Sequence, residues 1–236
     1  MRQFPFPPVW IGGDLGEFRE CDSTYCRYDY RSLPRLPTYL FDGSFSWLRR
    51  HPSPLEYDSR FADFWGKDGA ANWKVEAELV RPELLRAVHE SDVAIPDAFI
   101  SFLFDADLVT LIRSPTDCYF SLPKTVIRNG GPASGHFIHF LSDSQNCYEW
   151  YLFIDQNGSH CVVASYEDLS GTRLPDTFWE NNRQEIVTCA NSFEAFIYRL
   201  WIEDEIWFRL VEQDQPLTDE MHEYLASSRS CKEAEQ

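Results

Sequence analysis

The segment 136–165, HFIHFLSDSQNCYEWYLFIDQNGSHCVVAS, constrains the fold more than any other part of the chain. It reads as three consecutive strands, over 135–141, 148–154 and 161–165. The middle one runs Tyr148-Glu149-Trp150-Tyr151-Leu152-Phe153-Ile154, with Glu149 as its only charge. A strand apolar on both faces must be covered on both faces. Asn157-Gly158 marks the next hairpin, because both residue types tolerate positive φ. The pattern predicts the centre of an antiparallel sheet.

Strand parity also disposes of tempting chemistry. His136 and His139 are three apart, so they point to opposite faces and cannot share a metal ion. One exposed and one packed histidine is the expectation. His160 and Cys161 are adjacent and also face apart, so imidazole cannot activate that thiol; Cys161 is expected to be buried and inert.

Of the 236 residues, 44% are hydrophobic and 16% aromatic, enough for a substantial core. The net charge of −17 repels phosphate backbones and anionic membrane surfaces and favours a basic protein partner. An acidic surface also serves solubility alone. The seven cysteines are odd in number and scattered, which argues against a secreted disulfide framework. Cys21 and Cys26 lack the Cys-x-x-Cys spacing of a zinc site. The prolines of MRQFPFPPVW do not suit a signal peptide. No apolar run reaches the length of a membrane span. A reducing cytoplasm is the expected location.

Residues 1–73 hold sixteen of the aromatic residues and the prolines at 5, 7, 8, 34, 37, 52 and 54. They predict an extension of loops and short elements packed on the rest. Pro82 is expected to open a helix, PELLRAVHES, and Pro96 a second, PDAFISFLFDADL. Strands are expected over 117–122 and 124–128. Asn191 and Glu194 suggest a capping box for a long helix with the stripe Phe193, Phe196, Ile197, Leu200, Trp201, Trp207, Phe208 and Val211. Thr218 is expected to cap a last helix, TDEMHEYLAS. The organisation is a single compact α+β unit, a twisted antiparallel sheet flanked by helices. It divides into the extension 1–73, a domain 74–225 and a frayed tail 226–236.

Ile95-Pro96-Asp97-Ala98-Phe99 with Phe102-Leu103, then Trp150-Tyr151-Leu152-Phe153-Ile154, Gly158, and Ser192-Phe193-Glu194-Ala195-Phe196 come in an order that resembles the SUKH superfamily. Its members include bacterial immunity proteins and fungal cell-wall-assembly regulators. The resemblance covers roughly 75–211. It departs where Asp105-Ala106-Asp107 replaces the family's glycine-containing turn. The resemblance implies an α+β domain on a twisted antiparallel sheet. For bacterial relatives it implies toxin neutralisation by direct binding, and it implies no shared catalytic set.

The remaining motifs carry little chemistry. Gly130-Gly131-Pro132-Ala133-Ser134-Gly135 and Gly12-Gly13-Asp14-Leu15-Gly16 lack the lysine and helix start of a phosphate cradle. Acid pairs such as Asp105/Asp107 and Asp219/Glu220 suit solvated faces. Residues 192–225 carry nine acids against two bases, a net −7, beside Trp201, Trp207 and Phe208. Two readings are open: acids facing water over an aromatic core, or an acidic-aromatic surface for a basic partner. On the second, Glu203, Asp204, Glu205, Trp207 and Glu212 are the partner-binding candidates. The leading expectation is a non-catalytic binding protein with no cofactor or metal, an immunity protein against a basic toxin domain, binding neither nucleic acid nor membrane. A regulatory or scaffold module is the alternative. A hydrolase with a site between the N-terminal region and the sheet is the third reading.

Overall fold

The computed structural model describes residues 4–54, 63, 65–66, 68–129, 134–169 and 185–233. A two-stranded antiparallel sheet comes first, β1 (Val9–Gly12) with β2 (Cys26–Asp29). Three helices follow: α1 (Gly69–Glu90), α2 (Asp97–Leu103) and α3 (Ala106–Val109). The main sheet comprises β3 (Tyr119–Phe120), β4 (Ile127–Asn129), β5 (Gly135–Ser142), β6 (Glu149–Asp155), β7 (His160–Ser165) and β8 (Val187–Ala190). Then come α4 (Phe193–Trp207), a π-helical turn (Phe208–Glu212) and α5 (Asp219–Glu233). The fold is α+β with an antiparallel sheet, as the strand pattern implied.

The strand order is β3-β5-β6-β7-β8, with β4 also on β5. The apolar strand β6 is therefore central. Its alternate residues serve two cores: Trp150, Leu152 and Ile154 face the helices, while Tyr151 and Phe153 pack with Phe6, Phe137 and Leu169 on the other face. A bulge between His139 and Leu141 turns Phe140 and Leu141 together into the helical core. The hairpin after β6 has a different geometry from the expected two-residue turn. Asp155 N donates to Ser159 O at 2.8 Å, and Gly158 alone takes a positive φ, +75°. Asp155 Oδ1 accepts from the amides of Asn157 and Ser159, so the loop is built by an aspartate as much as by Asn-Gly.

The first residues belong to the sheet's architecture. Thr188 N donates to Pro7 O at 2.8 Å, and Pro8 bridges Thr188 in parallel, so the N-terminal segment covers the β8 edge. The boundary expected after residue 73 falls inside α1. Pro82 lies in the interior of this helix instead of opening one. Ala77, Val80 and Leu84 form one buried face across it, while Pro82 itself is exposed, where water can take up the carbonyl it leaves unpaired.

The second expected helix is split. Asp105 adopts extended backbone, and its side chain accepts from Asp107 N to cap α3. Strands β3 and β4 are shorter than expected, at two and three residues. The cap of α4 is Ser192, not Asn191: its Oγ accepts from Ala195 N at 3.2 Å. Thr218 caps α5 as expected, accepting from Met221 N. That helix continues to Glu233, so the backbone of 226–233 is helical where a frayed tail was expected. Residues Gly130, Gly131, Pro132 and Ala133 of the glycine-rich turn lie outside the described residues. Cys21 and Cys26 form a local disulfide; among the described residues Cys118, Cys147, Cys161 and Cys189 are free.

Two glycines of the meander separate crowding from strain. A Cβ on Gly135 would lie 2.6 Å from Ile154 O and from the Phe153 ring, whereas Gly158 has open space but a positive φ. Gly135→Ala is expected to cost about 1–3 kcal/mol by overpacking. Gly158→Ala is expected to cost only about 1 kcal/mol. Urea unfolding of both variants checks the order.

Candidate functional site: a buried acidic helix and the clefts around it

Helix α4 buries twelve of its fifteen residues, so it has no solvent face on which to place its charges. Its acids therefore take partners inside. Glu194 was expected to complete a capping box. Instead its Oε1 accepts from Trp47 Nε1 at 2.9 Å and its Oε2 from Gly43 N at 2.7 Å.

Glu203 is the hub. Its Oε1 accepts from Arg19 Nη1 at 2.8 Å and Tyr224 OH at 2.6 Å. Its Oε2 accepts from Arg19 Nη2 at 2.5 Å and Trp10 Nε1 at 2.7 Å. Arg199, one turn back, donates to Tyr224 OH at 2.7 Å and to Pro34 O at 2.9 Å. Burial alone would raise the Glu203 pKa, but the Arg19 charge and hydrogen bond, helped by Arg199 and Tyr224, pull it below its usual value. Glu205 makes a fork with buried Arg113, Nε to Oε1 at 2.7 Å and Nη2 to Oε2 at 3.0 Å. The guanidinium of Arg113 sits 3.9 Å from the Phe208 ring centroid.

Asp204 differs from both neighbours. The residue keeps some exposure, but its Oδ2 is buried and has no hydrogen-bond partner. Burial, then the charges of Glu203 and Glu205, push its pKa well above the usual value, with only Arg113 opposing. It borders an internal cavity of about 30 Å3 shared with Tyr25, Thr116, Cys118 and Trp150. The Tyr25 hydroxyl lies 2.9 Å from Asp143 Oδ1, 2.9 Å from Thr116 Oγ1 and 3.2 Å from Cys118 Sγ. Burial pushes the Cys118 thiol up to about 11 and the Cys189 thiol to about 12, and holds Cys161 well above its usual value. Each is a thiol, not a nucleophilic thiolate, at neutral pH.

The expected partner-binding residues are thus dispersed. Glu203 and Glu205 are internal ion-pair members, and Asp204 lines the small cavity. Glu203 and Glu205 therefore face neither a partner nor water, which corrects the expectation for these two, whereas Glu212, Asp214, Asp219 and Glu223 of the same stretch are exposed. Trp207 is half-buried against Phe208. Glu212 is exposed, in the π-turn, and Val211 is 53% exposed instead of belonging to the helical stripe. His136 and His139 do lie on opposite faces, but neither is exposed: both are half-buried, and His139 Nε2 is 2.6 Å from Glu149 Oε2. Among the described residues no group of three or more His, Cys, Asp or Glu is placed to hold a metal. No helix of the described residues is long and apolar enough to cross a membrane.

Two larger, open clefts lie elsewhere on the described residues. One, of about 570 Å3, lies between segment 35–51 and α5. In it His51 stacks on Trp201 with centroids 4.2 Å apart and points Nε2 at Glu220 Oε2, 3.5 Å away. Glu220 Oε1 accepts from Tyr198 OH at 2.9 Å. Burial lowers the His51 pKa, Arg50 and Arg209 act in the same direction, and Glu220 and Glu205 oppose. The second cleft, of about 540 Å3, lies beside α1. Sequence reasoning missed both, because each joins segments far apart in the chain. Comparison with protein-family models, with curated proteins and with solved structures gave no match.

The neighbouring acids give opposite pH signatures. Glu203, with its pKa lowered by folding, contributes stability that is present at neutral pH and is lost as pH falls through its folded value. Asp204, with its pKa raised, costs stability progressively as pH rises above the unfolded value toward the folded one. Glu203→Ala should cost about 3–5 kcal/mol by leaving Arg19 unpaired inside. Asp204→Asn should raise stability at pH 7, and the gain should vanish below about pH 4, where the unfolded carboxyl is also protonated. Urea titrations across pH read both effects.

Proposed function

We propose that the chain is a SUKH-like cytoplasmic binding protein, an immunity protein that neutralises a basic toxin domain by direct contact. The observation that carries this reading is the distribution of acid on the surface. With Glu203 and Glu205 turned inward, the exposed acids of this region gather farther along, at Glu212, Asp214, Asp219 and Glu223 around the entry to α5. Exposed Val211 adds an apolar contact there. An acidic rim beside apolar area suits a basic partner, raising the association rate more than it holds the final complex.

The element order supports the same reading: Pro96 caps α2, the antiparallel meander follows, and Ser192 caps α4. The thiols of Cys118, Cys161 and Cys189, held protonated, also favour binding over chemistry. The hydrolase alternative needs a site between the N-terminal region and the sheet. Among the described residues, the cavity found there, of about 30 Å3, has room for a water or two.

Co-expression with a toxic basic domain, taken from a neighbouring gene where one encodes it, tests the proposal. Rescue of growth is expected, and survival no better than without the protein would overturn the immunity reading. Reversing all four charges (E212K, D214K, D219K, E223K) should slow association at low salt by about tenfold or more, with the difference shrinking at high salt. Stopped-flow mixing at several salt concentrations measures this. An association rate equal to that of the unmodified protein would place the partner on another face.

A further inference from the structure

The cleft beside α1 reverses the sign of the surface around it. The chain carries 38 acids against 21 Lys and Arg, yet this cleft presents Arg49, Lys74 and Arg81 against Asp105 and Asp107. Asp105 is already satisfied: Oδ2 pairs with Arg49 and Oδ1 accepts from Asp107 N at 3.0 Å. Lys74 and Arg81 make no ion pair among the described residues, and both are exposed. They stand seven apart on one side of α1, which is two turns or about 10 Å along the axis. Among the described lining residues, Asp107 is the acid left to offset them.

The walls are held in place before any ligand arrives. Trp73 Nε1 donates to Leu103 O at 2.9 Å, tying α1 to the end of α2. The Arg49–Asp105 pair ties the segment after Trp47 to α3. Ile100 and Phe104, both half-buried, and buried Leu108 supply an apolar floor. A volume of about 540 Å3 lies within the range of small-molecule sites, roughly 300–1,000 Å3.

We infer that this cleft binds a small organic polyanion whose charged groups span Lys74 and Arg81 and whose body lies on Ile100 and Phe104. Phosphate and carboxylate groups share this chemistry, so the probes distinguish them. The full-length protein is titrated with pyrophosphate, with ATP and with citrate, by calorimetry and by amide chemical shifts. Saturable binding by at least one probe is expected, with shifts at residues 74, 81 and 101. The tightest probe then assigns the class, pyrophosphate or ATP for phosphate and citrate for carboxylate. Lys74→Ala and Arg81→Ala should each weaken it several-fold, and the double variant by about tenfold or more, since charge-assisted hydrogen bonds are lost. Lys124→Ala, an exposed lysine elsewhere, should leave the affinity unchanged. Thermal melts of each variant confirm that folding is intact. No saturable binding by any probe, or binding that the double variant retains, would overturn the inference.

Discussion

The carboxylate of Glu203 accepts from four side-chain donors, and those donors come from the two ends of the chain. Trp10 and Arg19 belong to the first twenty residues, and Tyr224 belongs to the last helix. A charge placed in the interior of a helix buried all round has no water to turn to, so the chain must bring it partners or lose the fold. The N-terminal segment and α5 are therefore part of the domain's interior chemistry. Each contributes donors to one carboxylate: removing the N-terminal segment takes away the charged partner Arg19, and removing α5 takes away the Tyr224 hydroxyl.

The same requirement organises the rest of α4. Glu194 recruits Gly43 and Trp47, and Glu205 recruits Arg113. Three acids on one helix thus pin three separate stretches of irregular chain that the main sheet's hydrogen bonds do not hold. Apolar burial supplies the bulk of the stabilisation, as the two cores on either face of β6 attest. The ion pairs select which loop packs where. Asp204, with neither cation nor donor on its Oδ2, sits between Glu203 and Glu205 at some cost in stability, and it borders a small cavity at the junction of helix, sheet and N-terminal loop.

Much of the architecture was legible in the sequence. The apolar strand 148–154 announced a strand covered on both faces, and β6 is that strand, inside the sheet between two cores. Gly158, Thr218 and the proline before α2 mark turns and caps through backbone constraints that act locally. The errors were also local in origin. Pro82 reads as a helix start, but a continuous buried face at Ala77, Val80 and Leu84 overrides it. Asn191 and Glu194 read as a capping box, but tertiary donors claim Glu194. Asn-Gly reads as a two-residue turn, but Asp155 widens it.

The site was less legible than the fold. The run Glu203-Asp204-Glu205 looks like a solvated or partner-facing acid patch, because three adjacent acids on a helix cannot neutralise one another and Arg199 and Arg209 are the only bases within a turn of them. Of its partners, Arg113 lies 92 residues away, Arg19 184 and Trp10 193. Sequence alone determined the α+β class, the central strand and the parity that separates His136 from His139, since these follow from steric periods of two and 3.6 residues. Only the tertiary structure decided which charges are buried, which clefts open and where the remaining acid and base gather. Electrostatic pairing acts through space between distant segments, and its partners leave no periodic trace in the chain.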